Sequence, residues 1–197
     1  MTRRDALLSA ASGGLLALSF SALTVGFFAW ISIVPLLVAI RNRTPKQAFL
    51  LGGITGLVFF CGTVYWVTNS VHFYGHVPLL PATLITLLLC AYCAVYPALF
   101  GAIVSRVQRS RPALVVIAVP AVWTALELAR TYVFSGFPWA LLGYTQHQYL
   151  PVIQIADITG VYGVSFLILL GNSIVAGLIE DRKRFVPALA GIAIAAA

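Results

Sequence analysis

The sequence predicts an all-α membrane protein: a polytopic helical bundle of six complete transmembrane helices plus the start of a seventh. Three observations carry this reading. Of 197 residues, 61% are hydrophobic and only 9% are charged, whereas a soluble domain carries about 25% charged residues. Mean hydropathy is +0.99, and apolar runs recur that are long enough to cross about 30 Å of hydrocarbon. The basic residues fall in short clusters between those runs. A transmembrane β-barrel would instead show segments of about ten residues alternating in polarity, and that pattern is absent.

The elements follow in order from the clusters. After Arg3-Arg4 there is room for two short helices, about 6–21 and 24–40, meeting near Ser21 to Gly26. Arg41, Arg43 and Lys46 come next, then helices at about 47–68 and 82–105. Their connection, 69–81, contains Gly75, Pro78 and Pro81, which end helices. Beyond Arg106, Arg109 and Arg111 lie helices at about 113–134 and 157–179, and after Arg182-Lys183-Arg184 an incomplete run covers 185–197. An even number of crossings separates successive clusters, so all four can lie in the cytoplasm, as the positive-inside rule requires. The amino terminus is then cytoplasmic, and the loops 69–81 and 135–153 face outward. The net charge of +7 is thereby read as membrane orientation, with no nucleic-acid partner. The start TRRDALLSAASGGLLALSFSA also has the make-up of a cleavable or twin-arginine signal. A retained first helix is favoured, because the next run begins almost at once, at Gly26.

Gly52 with Gly56 and Ser173 with Gly177 are small-x-x-x-small pairs that allow close helix approach. Cys61, Cys90 and Cys93 lie in apolar segments and read as small core residues. A metal site needs about four ligands, and neither the lone Cys90-x-x-Cys93 nor His72 with His76 supplies them. No metal and no cofactor are expected, and no triad, phosphate loop or dinucleotide fingerprint is present.

Of the five acidic residues, Asp5, Glu180 and Asp181 sit beside basic clusters, whereas Glu127 and Asp157 do not. Counted from Ala113 at 1.5 Å per residue, Glu127 lies roughly 21 Å into the layer, with Arg130 one turn further out. Trp123, Glu127, Arg130 and Phe134 follow i, i+4, i+7, i+11 and so share one helix face. A buried charge costs several kcal/mol unless it is paired. Two readings stand side by side. Either Glu127 and Arg130 neutralise each other while Arg130 reaches to the surface, or they line an outward-facing cavity for a polar or phosphate-bearing head group. Asp157, at the start of the next helix, reads as a helix N-terminal charge. Gly136 and Pro138 break the helix, and Trp139, Tyr144, Tyr149 and Tyr162 follow at the outer boundary. The FPWALLGY loop is apolar enough to re-enter the layer or dock on something.

The order of residues here resembles a known family. W-x-x-x-E-x-x-R (Trp123, Glu127, Arg130), GFPW (Gly136 to Trp139), LGY-x-Q (Leu142 to Gln146), Gln154 and G-x-Y-G-V-S-F (Gly160 to Phe166) are similar to the membrane domain of bacterial apolipoprotein N-acyltransferases. The resemblance implies an inner-membrane enzyme moving an acyl chain from a phospholipid donor to an acceptor, the N-terminal S-diacylglyceryl cysteine of lipoproteins. In that family the reaction runs through a cysteine thioester, activated by a glutamate and a lysine, in a nitrilase-like domain outside the membrane. That domain is absent from this chain, and no cysteine here carries over as the nucleophile. Residues 1–197 are therefore expected to anchor the enzyme and bind lipid, and to be inactive alone. The resemblance makes Trp123, Glu127, Arg130, Phe137, Trp139 and Tyr144 the candidate substrate rim. A small membrane transporter or channel, and a non-catalytic lipid-binding remnant, are the alternatives.

Overall fold

The computed structural model describes the backbone of residues 1–21 and 25–195, and the side chains of residues 1–21 and 25–179. Among the described residues the chain is helical with no strand. Helix α1, Arg3–Ser19, opens on a capping box in which Thr2 Oγ1 accepts the Asp5 N–H and the Asp5 carboxylate accepts the Thr2 N–H. Asp5 also pairs with Arg43 at 2.9 Å. Burial pushes its carboxyl pKa up, but the bonds from Thr2 and the Arg43 guanidinium outweigh this and hold it below its ordinary value. The second apolar run forms a 3₁₀ turn, Gly26–Trp30, followed by α2, Val34–Ile40. A second capping box, Thr44 with Gln47, opens α3, Pro45–Thr63.

Helix α4, Trp66–Asn69, runs into a π turn, Ser70–Tyr74. Helix α5, Leu79–Ser110, is roughly 48 Å long at 1.5 Å per residue and contains Pro97. Helix α6 spans Val115–Tyr132, the short α7 spans Leu150–Ile153, and α8 spans Ala156–Ala195 with Asp157 in its first turn.

Among the described residues, four helical stretches are long and apolar enough to cross a membrane: Pro45–Thr63, Leu79–Ser110, Pro112–Ser135 and Ala156–Ile179. The expected count of six with a seventh begun is not confirmed. Helix α1, with 17 residues, is not among the four, and the Gly26–Ile40 run is shorter and broken between its 3₁₀ turn and α2. The side chains of the expected seventh run, 185–197, lie outside the described residues, and its backbone as far as Ala195 continues α8.

Helices α3 and α5 pack backbone to backbone. A Cβ on Gly52 would meet the Pro97 carbonyl, one on Gly101 the Ala48 carbonyl, and one on Gly56 the Cα of Ala94 at 2.7 Å. Glycine at these positions is what permits the close approach. Helix α1 joins the same layer, with Thr55 Oγ1 donating to the Ser9 carbonyl at 2.8 Å. Asn172 ties α8 to the first hairpin: its Oδ1 accepts the Ile33 N–H at 2.8 Å and its Nδ2 donates to the Ala29 carbonyl at 2.8 Å. Cys90 and Cys93 are buried, as expected of small core residues, but Cys61 is exposed on the outer surface of α3. Side chains such as Leu88 stand exposed on the flanks, as a hydrocarbon solvent permits.

The Asp5–Arg43 pair and a bond from Ser105 Oγ to the Arg43 carbonyl, 2.6 Å, gather three basic clusters at one end of the bundle. The fourth, Arg182 to Arg184, lies outside the described side chains. The 133–149 segment occupies the other end of α6.

Candidate functional site

Helix α6 stops at Tyr132, where Thr131 and the following residues reverse the chain. Phe134 and Ser135 take φ of 51° and 71°, and Gly136 takes φ 77°, ψ 149°. That last conformation is essentially restricted to glycine, and a Cβ there would also collide with the Thr131 carbonyl. Phe134 therefore leaves the face it was expected to share with Trp123, Glu127 and Arg130. It stands 88% exposed, edge-on to Tyr92 at 6.1 Å, because the helix has ended before it.

The reversed chain falls back onto α6, where two charged side chains receive it. Arg130 is 2% exposed. Its Nη1 donates to the carbonyls of Phe137 at 2.8 Å and Trp139 at 2.6 Å, and its Nη2 reaches the Ala140 carbonyl at 3.5 Å. The Phe137 N–H returns a bond to the Arg130 carbonyl at 2.9 Å, and the guanidinium lies 5.1 Å from the Phe60 ring centre. Glu127 Oε1 accepts the Leu142 N–H at 2.8 Å. The guanidinium thus supplies donors to carbonyls of the loop that follows the helix, and the carboxylate supplies an acceptor to a loop N–H. Arg130 does not reach the surface, and its guanidinium and one Glu127 carboxylate oxygen are spent on the loop.

Helix α8 completes the clamp. Ser165 Oγ accepts the Gly143 N–H at 2.9 Å, and the Tyr162 hydroxyl meets Thr131 Oγ1 at 2.9 Å. Gln146 Nε2 donates to the Gly26 carbonyl at 2.9 Å while its Oε1 accepts from Trp30 Nε1 at 3.2 Å. Leu141 and Leu142 are buried, so the apolar loop docks into the bundle. The roles of Ser165, Asn172 and Trp30 were not anticipated; a lone amide in an apolar helix, as at Asn172, is the one sign that pointed toward interhelical bonding.

The six candidate residues divide into two groups. Trp123, Glu127 and Arg130 are buried, and Phe137 packs against the core. Glu127 Oε2 and Trp123 Nε1 have no protein partner and border a cavity of about 20 Å³. That is space for one water. Trp139 and Tyr144, by contrast, are 56% and 50% exposed. With Phe20, Val64 and Trp66 they line a groove of about 260 Å³ at the non-basic end, and Trp139 sits edge-on to Trp66 at 5.3 Å. The arrangement can bind: a backbone clamp beneath, aromatic faces above. Among the described residues no group of three or more His, Cys, Asp or Glu could hold a metal, and His72 Nδ1 bonds the Val77 carbonyl at 2.7 Å.

A family profile described as the apolipoprotein N-acyltransferase N-terminal domain matches residues 12–174. An apolipoprotein N-acyltransferase of Geobacter metallireducens is 45% identical over 186 residues, covering 94% of this chain and 36% of that protein. Those of Nitrosomonas europaea (37% identical, 73% of this chain and 29% of the relative) and Photobacterium profundum (32%, 88% and 34%) are also similar. The chain thus spans about a third of the length of these curated relatives.

Proposed function

This chain belongs to the apolipoprotein N-acyltransferase N-terminal domain family, and from that premise we propose that it is the membrane-anchoring, lipid-substrate-binding part of such an enzyme. The activity served is acyl transfer from a phospholipid to the N-terminal S-diacylglyceryl cysteine of a lipoprotein. The observation that carries the reading is the groove flanked by Trp66, Trp139 and Tyr144, one wall of which comes from the stretch that holds the family's motifs. An acyl chain would lie against Trp139 and Tyr144. Phe137, Trp123, Glu127 and Arg130 act one layer below, holding the loop in place.

The gathered basic end supports a cytoplasmic placement of that end in the inner membrane, which turns the groove toward the opposite, periplasmic side where acyl transfer would occur. The chemistry itself is assigned elsewhere in the enzyme: Cys90 and Cys93 are buried and Cys61 faces outward from α3, all within apolar helices. The test is Trp139→Ala in the full-length enzyme, with turnover of a diacylated lipopeptide as readout. A bound Trp face contributes roughly 1.5–3 kcal/mol, so kcat/KM should fall at least about tenfold, mostly through KM. Unchanged kinetics in Trp139→Ala and Tyr144→Ala, with normal folding, would remove the groove from substrate binding.

A further inference from the structure

At the basic end, far from the groove, the close of α2, the close of α5 and the start of α6 surround a cleft of about 270 Å³. Its mouth carries Arg109 and Arg41, with Asn42 turned into the left-handed region at φ 57° between α2 and α3. Its floor is apolar, from Leu37, Val115 and Ala176. The Ser173 hydroxyl, though at the edge, is already spent on the Val116 and Leu170 carbonyls. Gln108 is different: its Oε1 is buried against the cleft without a partner. A buried acceptor left unmade costs about 1–3 kcal/mol, so this atom asks for a donor.

We propose that this cleft binds the head group of a phosphodiester lipid that carries its own hydrogen-bond donor, a primary ammonium or a hydroxyl. The phosphate meets Arg109, the donor meets Gln108, and the glycerol and first methylenes lie on the apolar floor. Basic pockets between helices on the cytoplasmic side of membranes suit anionic lipid head groups, and arginine's fork suits a phosphate. The proposal does not rest on the aromatic groove, and either site can fail without the other.

The experiment uses the full-length protein delipidated in detergent, titrated with defined lipids and read by native mass spectrometry. Phosphatidylethanolamine and phosphatidylglycerol should bind at least about tenfold tighter than phosphatidylcholine, whose trimethylammonium has no donor. Arg109→Gln should weaken all three by about tenfold or more. Gln108→Leu should erase the preference among them, and Arg109→Lys should recover part of the affinity, which a folding defect would not allow. Equal binding of all three lipids overturns the proposal, and so does binding that neither substitution changes. So does inorganic phosphate competing at the same concentration as lipid, since the site would then belong to a free anion.

Discussion

Arg130→Leu tests the loop clamp most sharply. Two of its three carbonyl contacts are short, 2.8 and 2.6 Å, and the 3.5 Å contact to Ala140 lies at the limit of a hydrogen bond. A bond from a charged donor contributes about 1.5–3 kcal/mol, so two give about 3–6. Leucine also spares the cost of burying a guanidinium, which brings the net loss toward about 3 kcal/mol. That loss falls on a segment already holding Ser135, Gly136 and Ala140 at positive φ. The loop should therefore open locally before the bundle unfolds. Hydrogen exchange of peptides covering 137–146 should accelerate about a hundredfold, while peptides in α3 and α5 keep their protection. Arg130→Lys should recover only part, because an ammonium lacks the planar fork. Exchange in 137–146 that stays at the native rate in Arg130→Leu would refute the clamp.

Further outcomes follow from the same geometry. Gly136→Ala meets both a glycine-only conformation and the Thr131 carbonyl, and should lower stability by about 1–3 kcal/mol, measured by thermal melting in detergent. Asn172→Leu leaves the buried Ile33 N–H without its partner and should cost about 1–3 kcal/mol in the same assay. The Asp5 carboxyl titrates below its ordinary 3.8, so its contribution is fully present above that pH and fades as pH falls through the lower folded value. Melting temperature should therefore drop on acidification below about 4 more in the native protein than in Asp5→Asn; parallel profiles would show that the Asp5–Arg43 tie adds nothing.

Much of this was readable in the residues, and the misses have physical causes. A glutamate and an arginine deep in an apolar run had to be satisfied, and Trp123, Glu127 and Arg130 do share a buried face. Their spacing left two readings open, that they neutralise each other or that they line an outward-facing cavity. What it could not contain is the chain folding back, because the Phe137 and Trp139 carbonyls and the Leu142 N–H that receive them are backbone groups with no identity in a sequence. Extending the helical period through Phe134 failed for a related reason: the helix stops at Tyr132, ahead of the Gly136 and Pro138 that mark the break. Gly52 and Gly56 were read correctly as close-approach positions. The helix count of six with a seventh begun is not confirmed, because charge parity counts apolar runs, whereas crossing a bilayer also needs length, and the Gly26–Ile40 run is short.

The central claim is that substrate lipid lies between Trp66, Trp139 and Tyr144. It is tested most directly by photo-crosslinking the full-length protein in inner-membrane vesicles with a phospholipid bearing a diazirine in its acyl chain. The account predicts adducts concentrated on peptides containing Trp139 and Tyr144, exceeding those at the exposed Leu88 on α5 and suppressed by excess diacylated lipopeptide. Labelling at Trp139 and Tyr144 no greater than at Leu88, and indifferent to lipopeptide, would contradict it.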